Sequence, residues 1–125
     1  SRLRFDRDSL ASIALGTNSS NLSAIGNDYG FKYIFAREIS SIGKKQDVFI
    51  PISTSGKSLN VIEAIKTAKK KGITCFGLSG RDGGEMKNII DCIIIPSEST
   101  EKIQECHIMI GHIICYLIEK KLFEK

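Results

Sequence analysis

The 125-residue chain contains no run of 18 or more apolar residues, which excludes a membrane-spanning helix. No signal peptide is visible. Its four cysteines, Cys75, Cys92, Cys106 and Cys115, form no C-x-x-C pair, and each sits inside an apolar stretch. They read as buried, reduced thiols, not disulfides or metal ligands, and place the protein in the cytoplasm. Aromatic residues make up only 7% of the chain and are not interleaved with basic ones. The runs Lys69-Lys70-Lys71 and Lys120-Lys121 therefore read as cations at helix C-termini, where the dipole favours them, and not as a nucleic-acid surface. The net charge of +4 is mild, and 42% apolar with 26% charged residues is ordinary for one soluble globular domain.

What the chain does have is a strand that runs straight into a hydroxyl-rich turn. Asp47-Val48-Phe49-Ile50-Pro51-Ile52 is followed by Ser53-Thr54-Ser55-Gly56-Lys57-Ser58, then by a helix from about Leu59. Backbone N–H groups, a helix dipole and side-chain hydroxyls converge there, which suits a phosphate. An N-cap needs one hydroxyl; this turn has four, at Ser53, Thr54, Ser55 and Ser58. Gly56-Lys57-Ser58 imitates the end of a nucleotide-binding P-loop, but the glycine required five positions earlier is Pro51, so the pattern fails. A phosphorylated small molecule is the expected ligand.

The rest of the chain alternates between strand and helix patterns. Ser12–Leu15 reads as a strand before a turn at Gly16–Ser20. Asn21–Ile25 reads as a single helical turn, punctuated by Gly26-Asn27-Asp28, with Asp28 as N-cap of a helix over Tyr29–Ile42. Val48–Ile52 is continuously apolar, as in a strand buried on both faces. The next helix buries Val61, Ile62, Ala64, Ile65 and Ala68 and stops at Gly72. Strands follow at Ile73–Leu78 and Cys92–Ile95, with a flexible loop and short helix after the first. Such alternation predicts an α/β fold: a parallel sheet covered by helices on both faces, with ligands at the carboxyl ends of the strands. The turns at Gly16–Ser20, Ser53–Ser58 and Ser79–Gly84 would then share one edge.

The last helix, from about Thr100 to Leu122 with Ser99 or Thr100 as cap, is apolar on most sides, which predicts burial against another subunit. Gln104 and His112 lie on this buried helix, about 80° apart around its axis and about 12 Å apart along it. Polar groups in such a setting need partners. Gly111 beside His112 suggests the close approach of a neighbour or ligand. His107 is about 140° around from His112 and shares no face with it.

Four stretches together resemble the sugar isomerase (SIS) domain family, and within it the phosphoheptose isomerase branch. They are Ala24-Ile25-Gly26-Asn27-Asp28-Tyr29-Gly30-Phe31, Ile52 to Ser58 with Asn60-Val61, Leu78-Ser79-Gly80 with Asp82-Gly83-Gly84, and Ile103-Gln104-Glu105 with His107 and His112. The resemblance covers essentially the whole chain, residues 1–125, as one partial SIS domain. It implies a Rossmann/flavodoxin-like three-layer sandwich.

It also implies isomerisation of sedoheptulose 7-phosphate to D-glycero-D-manno-heptose 7-phosphate, toward bacterial surface polysaccharide such as lipopolysaccharide or capsule. By that resemblance Ser53, Thr54, Ser55 and Ser58 hold the phosphate, Asn27, Asp28 and Gln104 contact the sugar, and His112 is the catalytic acid/base. Gln104 and His112 would also ligate zinc, one ion per subunit, in a homotetramer. Family members further carry an N-terminal helical region, a Gly-Asn-Gly-Gly-Ser loop and a helix with a His and a catalytic Glu. None of these is in the sequence, so the resemblance implies that the first strand-loop, the carboxylate base, two zinc ligands and part of the phosphate cradle lie outside it. Glu101 stands where the family commonly has Asp or a small polar residue. The alternatives are a non-catalytic DnaA-associating scaffold and a sugar-phosphate sensor. Scaffold members typically have Asn at the position of His112 and Arg at that of Ser55, and sensors carry a DNA-binding domain; this chain has neither.

Overall fold

The structure is a computed structural model that describes residues 3, 4 and 6–124. Four α-helices, α1 (Ser19–Tyr29), α2 (Ile34–Ile42), α3 (Leu59–Lys70) and α4 (Thr100–Phe123), accompany five short strands. The strands are β1 (Val48–Phe49), β2 (Ile52–Ser53), β3 (Thr74–Cys75), β4 (Gly77–Gly80) and β5 (Cys92–Ile95).

β1 pairs with β3 and β2 with β4, both parallel and with the same register offset, as in Phe49↔Cys75 and Ser53↔Ser79. Pro51 has no N–H to give a ladder and sits in the break between β1 and β2. The hydrogen bonds Phe76 N–H to Phe49 O (3.1 Å) and Leu78 N–H to Pro51 O (3.0 Å) carry the pairing across that break. β5 joins β4 on the other side, again parallel. The result is one run of three parallel strand lines, with the line of β3 and β4 in the middle.

α2 and α3 pack on one face of this sheet. Ile39, Ala64, Ala68 and Ile73 form one buried cluster, and Val61, Ile62, Ile65 and Met86 form another, with Phe49 against both. α4 covers the opposite face. Within β4, a side chain on Gly77 would meet Met86, whereas one on Gly80 would meet Ile103 of α4. Residues three apart on a strand face opposite sides, so three layers are present.

Several sequence expectations are corrected here. Ser12–Leu15 is not a strand in any ladder among the described residues; Ile13 is 70% exposed. Apolar composition alone does not make a strand where no partner strand lies alongside. Val48–Ile52 is not buried on both faces: Val48, Ile50 and Ile52 are exposed, while Phe49, Pro51 and Ser53 turn inward. That period of two marks a half-covered line at the edge of the sheet.

α1 runs through Gly26-Asn27-Asp28, which neither punctuates it nor supplies a cap. Asn18 caps it by accepting the Asn21 N–H at 3.1 Å, and it ends at Gly30. A mid-helix glycine costs only about 1 kcal/mol, which one good cap largely offsets. The expected helix over Tyr29–Ile42 is divided into a 3-10 turn at Phe31–Tyr33 and α2. The expected flexible loop at Ser79–Gly84 is the end of β4 plus a tight turn in which Gly83 and Gly84 are buried. The thiols are free but not fully buried: Cys75, Cys92 and Cys106 are half-buried and Cys115 is exposed.

The bounds of α3 and α4 agree closely with the sequence. Ser99 caps α4, Lys69 and Lys70 lie in the last turn of α3, and Lys120 and Lys121 lie in that of α4. No helix among the described residues is long and apolar enough to cross a membrane.

Candidate functional site

The carboxyl end of β2 delivers Ser53 into a turn closed by the Gly56 N–H on Ser53 O at 3.0 Å. Gly56 adopts φ +63 there, a conformation that L-residues rarely take. Its α-carbon faces the Gly83 carbonyl, and the Met86 N–H donates to Gly56 O at 3.0 Å. The turn is thus moulded against the Asp82–Gly84 loop.

The hydroxyls are arranged for more than capping. Ser58 holds the N-cap position of α3 but makes no side-chain cap bond. Its Oγ lies 2.9 Å from Ser53 Oγ instead. Ser55 Oγ accepts the Lys57 N–H at 3.2 Å. The first-turn N–H groups of a helix have no intrahelical acceptor, and here the residue placed to cap them points elsewhere. The Val61 N–H donates to Asn60 Oδ1 at 2.9 Å, so an anion at that end would meet the N–H groups of Leu59 and Asn60, the positive end of the helix dipole and the hydroxyls of the Ser53–Ser58 turn.

Behind the turn, Ser79 is fully buried and its Oγ donates to Ser53 O at 3.0 Å. His107 of α4 is 5% exposed, with Nε2 2.9 Å from Ser79 O. Asp82 flanks the turn and accepts the Gly84 N–H at 3.2 Å. That bond holds its carboxyl below the usual aspartate range, assisted by Lys57 and Lys87.

The other residues expected to act make no hydrogen bond to this cluster among the described residues. Asn27 and Asp28 bond to each other at 2.9 Å on an exposed face of α1, with no hydrogen bond to the serine turn. Gln104 and His112 are on α4 but are exposed, not buried. Gly111 has nothing within 4 Å of where a side chain would start, so no group among the described residues approaches it. α4 buries only Ile103, His107 and Glu119. Of the two histidines of α4, His107 is the one inside. The two lie on different faces, and an apolar pattern that covers most of a helix does not say which face turns to the sheet.

Ser79 is legible in the sequence as a loop residue and as part of the Leu78-Ser79-Gly80 stretch, with no role attached, and nothing marks Glu119. Glu119 is 1% exposed and accepts the Leu3 N–H at 3.0 Å, the Arg4 N–H at 2.6 Å and Arg7 Nε at 2.8 Å. No group of three or more His, Cys, Asp or Glu side chains that could hold a metal occurs among the described residues. Gln104 and His112 supply two donors about 12 Å apart along one helix, which does not by itself make a zinc site.

The family model for the SIS domain matches residues 1–80. A phosphoheptose isomerase of Sulfurimonas denitrificans is 55% identical over 123 residues, which are 98% of this chain and 63% of that protein. Among solved structures, phosphoheptose isomerase GmhA from Neisseria gonorrhoeae aligns with a TM-score of 0.84 at 42% identity, over 86% of this chain and 62% of that one. A phosphoheptose isomerase from Francisella tularensis aligns with a TM-score of 0.88 at 33% identity, over 91% and 62%. The chain therefore spans a little under two thirds of the length of these relatives. With a parallel α/β fold shared with solved phosphoheptose isomerases and a domain match over its first 80 residues, the chain belongs to the SIS domain family.

Proposed function

We propose that the protein is an aldose–ketose isomerase acting on a seven-carbon sugar phosphate, converting sedoheptulose 7-phosphate to D-glycero-D-manno-heptose 7-phosphate. The observation that carries this reading is the serine turn, with Ser58 turned to Ser53 and the N–H groups of Leu59 and Asn60 at the start of α3 left to an anion. Relatives named phosphoheptose isomerase at 54% and 55% identity support the substrate, and favour an enzyme over a scaffold or sensor.

In this reading Ser53, Thr54, Ser55 and Ser58 hold the phosphate, and Asn27, Asp28 and Gln104 contact the sugar. The exchange moves a proton from C1 to C2 through an enediol and a second from O1 to O2, so the sugar is rearranged with no net gain or loss. His112 moves protons as acid/base, a role that imidazole fills near neutral pH. Gln104 and His112 would be donors to a zinc ion that polarises the reacting oxygen, with the remaining ligands supplied from outside the described residues. The described residues alone do not form such a site.

The exposed apolar residues of α4, including Ile108, Met109, Ile113 and Leu117, support assembly through this helix into a homotetramer. The product would feed cytoplasmic synthesis of heptose for lipopolysaccharide or capsule. Incubating the intact protein with sedoheptulose 7-phosphate, with and without zinc, tests the reaction. An aldose product is expected, and His112→Ala should abolish its formation while leaving sugar-phosphate binding largely intact. No turnover under either condition would contradict the proposal.

A further inference from the structure

α4 is 24 residues long yet buries only three side chains, Ile103, His107 and Glu119. The first two are its buried contacts with β4, with Cys106, Ile110 and Ile114 half-buried beside them. Ile103 is fully buried and occupies the space that a side chain on Gly80 would need, which fixes how closely α4 approaches β4. That apolar contact sets the spacing but, being non-directional, specifies the rotation of the helix about its axis less sharply than a hydrogen bond does. The directional contact is the hydrogen bond of His107 one turn later. Ser79 O accepts only, so the nitrogen facing it, Nε2, carries the proton, and Nδ1 has no partner among the described residues. Ser79 in turn donates to Ser53 O, and Ser53 meets Ser58. One bonded line thus runs from α4 through β4 to the turn that opens α3.

We infer that His107 is a positioning residue: its Nε2–H bond to Ser79 sets the rotation of α4, and so the direction in which Gln104 and His112 face relative to the serine turn. Gln104 is about 60° around the helix from His107 and His112 about 140°, so a roll of α4 swings both together. The serine turn keeps its own contacts with β2, α3 and the Asp82–Gly84 loop when α4 rolls, because Ser79 Oγ still donates to Ser53 O and Met86 N–H to Gly56 O. Loss of the bond should therefore misplace the acid/base without weakening the hold on the phosphate.

This rests on the isomerase reading above for its kinetic arm, but not for its spectroscopic one. His107→Leu keeps volume and removes the donor; His107→Gln replaces the imidazole N–H with an amide N–H. In the intact protein, His107→Leu is expected to lower kcat by about 10- to 100-fold, the scale of a misplacement near 1 Å, with KM little changed. His107→Gln is expected to recover most of the loss. Equal impairment of both variants, parental kcat in His107→Leu, or a raised KM with kcat unchanged would overturn the inference.

Absence of turnover in the parent protein would count against the isomerase reading alone, and imidazole NMR would then decide the positioning role. A slowly exchanging Nε2–H on His107, with the His112 ring signals shifted by His107→Leu and restored by His107→Gln, supports it. His112 signals indifferent to both variants overturn it. If His107→Leu does not fold, a His107 ring in the parent protein with its proton on Nδ1 and none on Nε2 overturns it as well.

Discussion

The carbonyl of Gly83 stands where a side chain on Gly56 would have to begin. Two loops from adjacent strand lines therefore meet backbone to backbone, and the serine turn takes its shape from that contact. Gly56→Ala forces an L side chain into φ +63 and into the Gly83 carbonyl at once. The expected cost is about 2–3 kcal/mol by urea denaturation, with loss of sugar-phosphate binding. A variant within about 0.5 kcal/mol of the parent would show that the loops part easily.

Glu119 ties the chain's N-terminal segment to α4. Its carboxylate is 1% exposed and accepts from two backbone N–H groups and from Arg7, whose side chain is 13% exposed. Removing one partner of a buried pair leaves the other uncompensated, so Glu119→Gln should cost about 3 kcal/mol. Urea denaturation measures this, and protease nicking before Asp8 should accelerate with it. A change below about 1 kcal/mol would mean that the segment is held by other contacts.

These two contacts show where sequence reading stops. α3 and α4 were legible because their apolar residues recur at helical spacing and their caps and terminal lysines agree with it. Three strand lines were legible from apolar runs ending in turn residues, whereas Ser12–Leu15 has the same pattern and joins no ladder among the described residues. What pattern could not supply was orientation. Whether Val48–Ile52 has one covered face or two depends on what lies beside it, and which side of α4 faces the sheet depends on Gly80, 32 positions before His112. The serine turn was visible as composition, but its tie to His107 passes through Ser79, a residue distant from both ends in sequence.

Asp82 predicts an acid-side effect. Its carboxyl sits below the ordinary aspartate value because the charged form accepts the Gly84 N–H, with Lys57 and Lys87 adding to this. A folded-state value below the unfolded one, about 3.9, contributes stability above that pH, lost as pH falls through the folded value. Asp82→Asn should thus be less stable than the parent at neutral pH, with the gap closing in strong acid. Carboxyl-carbon NMR of Asp82 checks the shift directly. A midpoint at or above the ordinary value would contradict it.

Cysteine labelling reports on the exposed face of α4. Cys115 is exposed, whereas Cys75 and Cys92 are half-buried and burial pushes both thiols up, leaving less reactive thiolate. A maleimide should label Cys115 well before Cys75 or Cys92 when the protein is dilute. Assembly through α4 predicts that this labelling slows as concentration rises. Labelling of Cys115 at the same rate across that range would contradict an α4 interface.

The account depends most on where the phosphate sits, and a backbone-amide NMR titration with sedoheptulose 7-phosphate reads that position directly. The largest shifts are expected at Ser55, Ser58, Leu59 and Asn60, with Ser55→Ala weakening binding and the unphosphorylated sugar failing to produce them. Shifts centred elsewhere, with the Ser53–Ser58 turn unmoved at saturating ester, would contradict it.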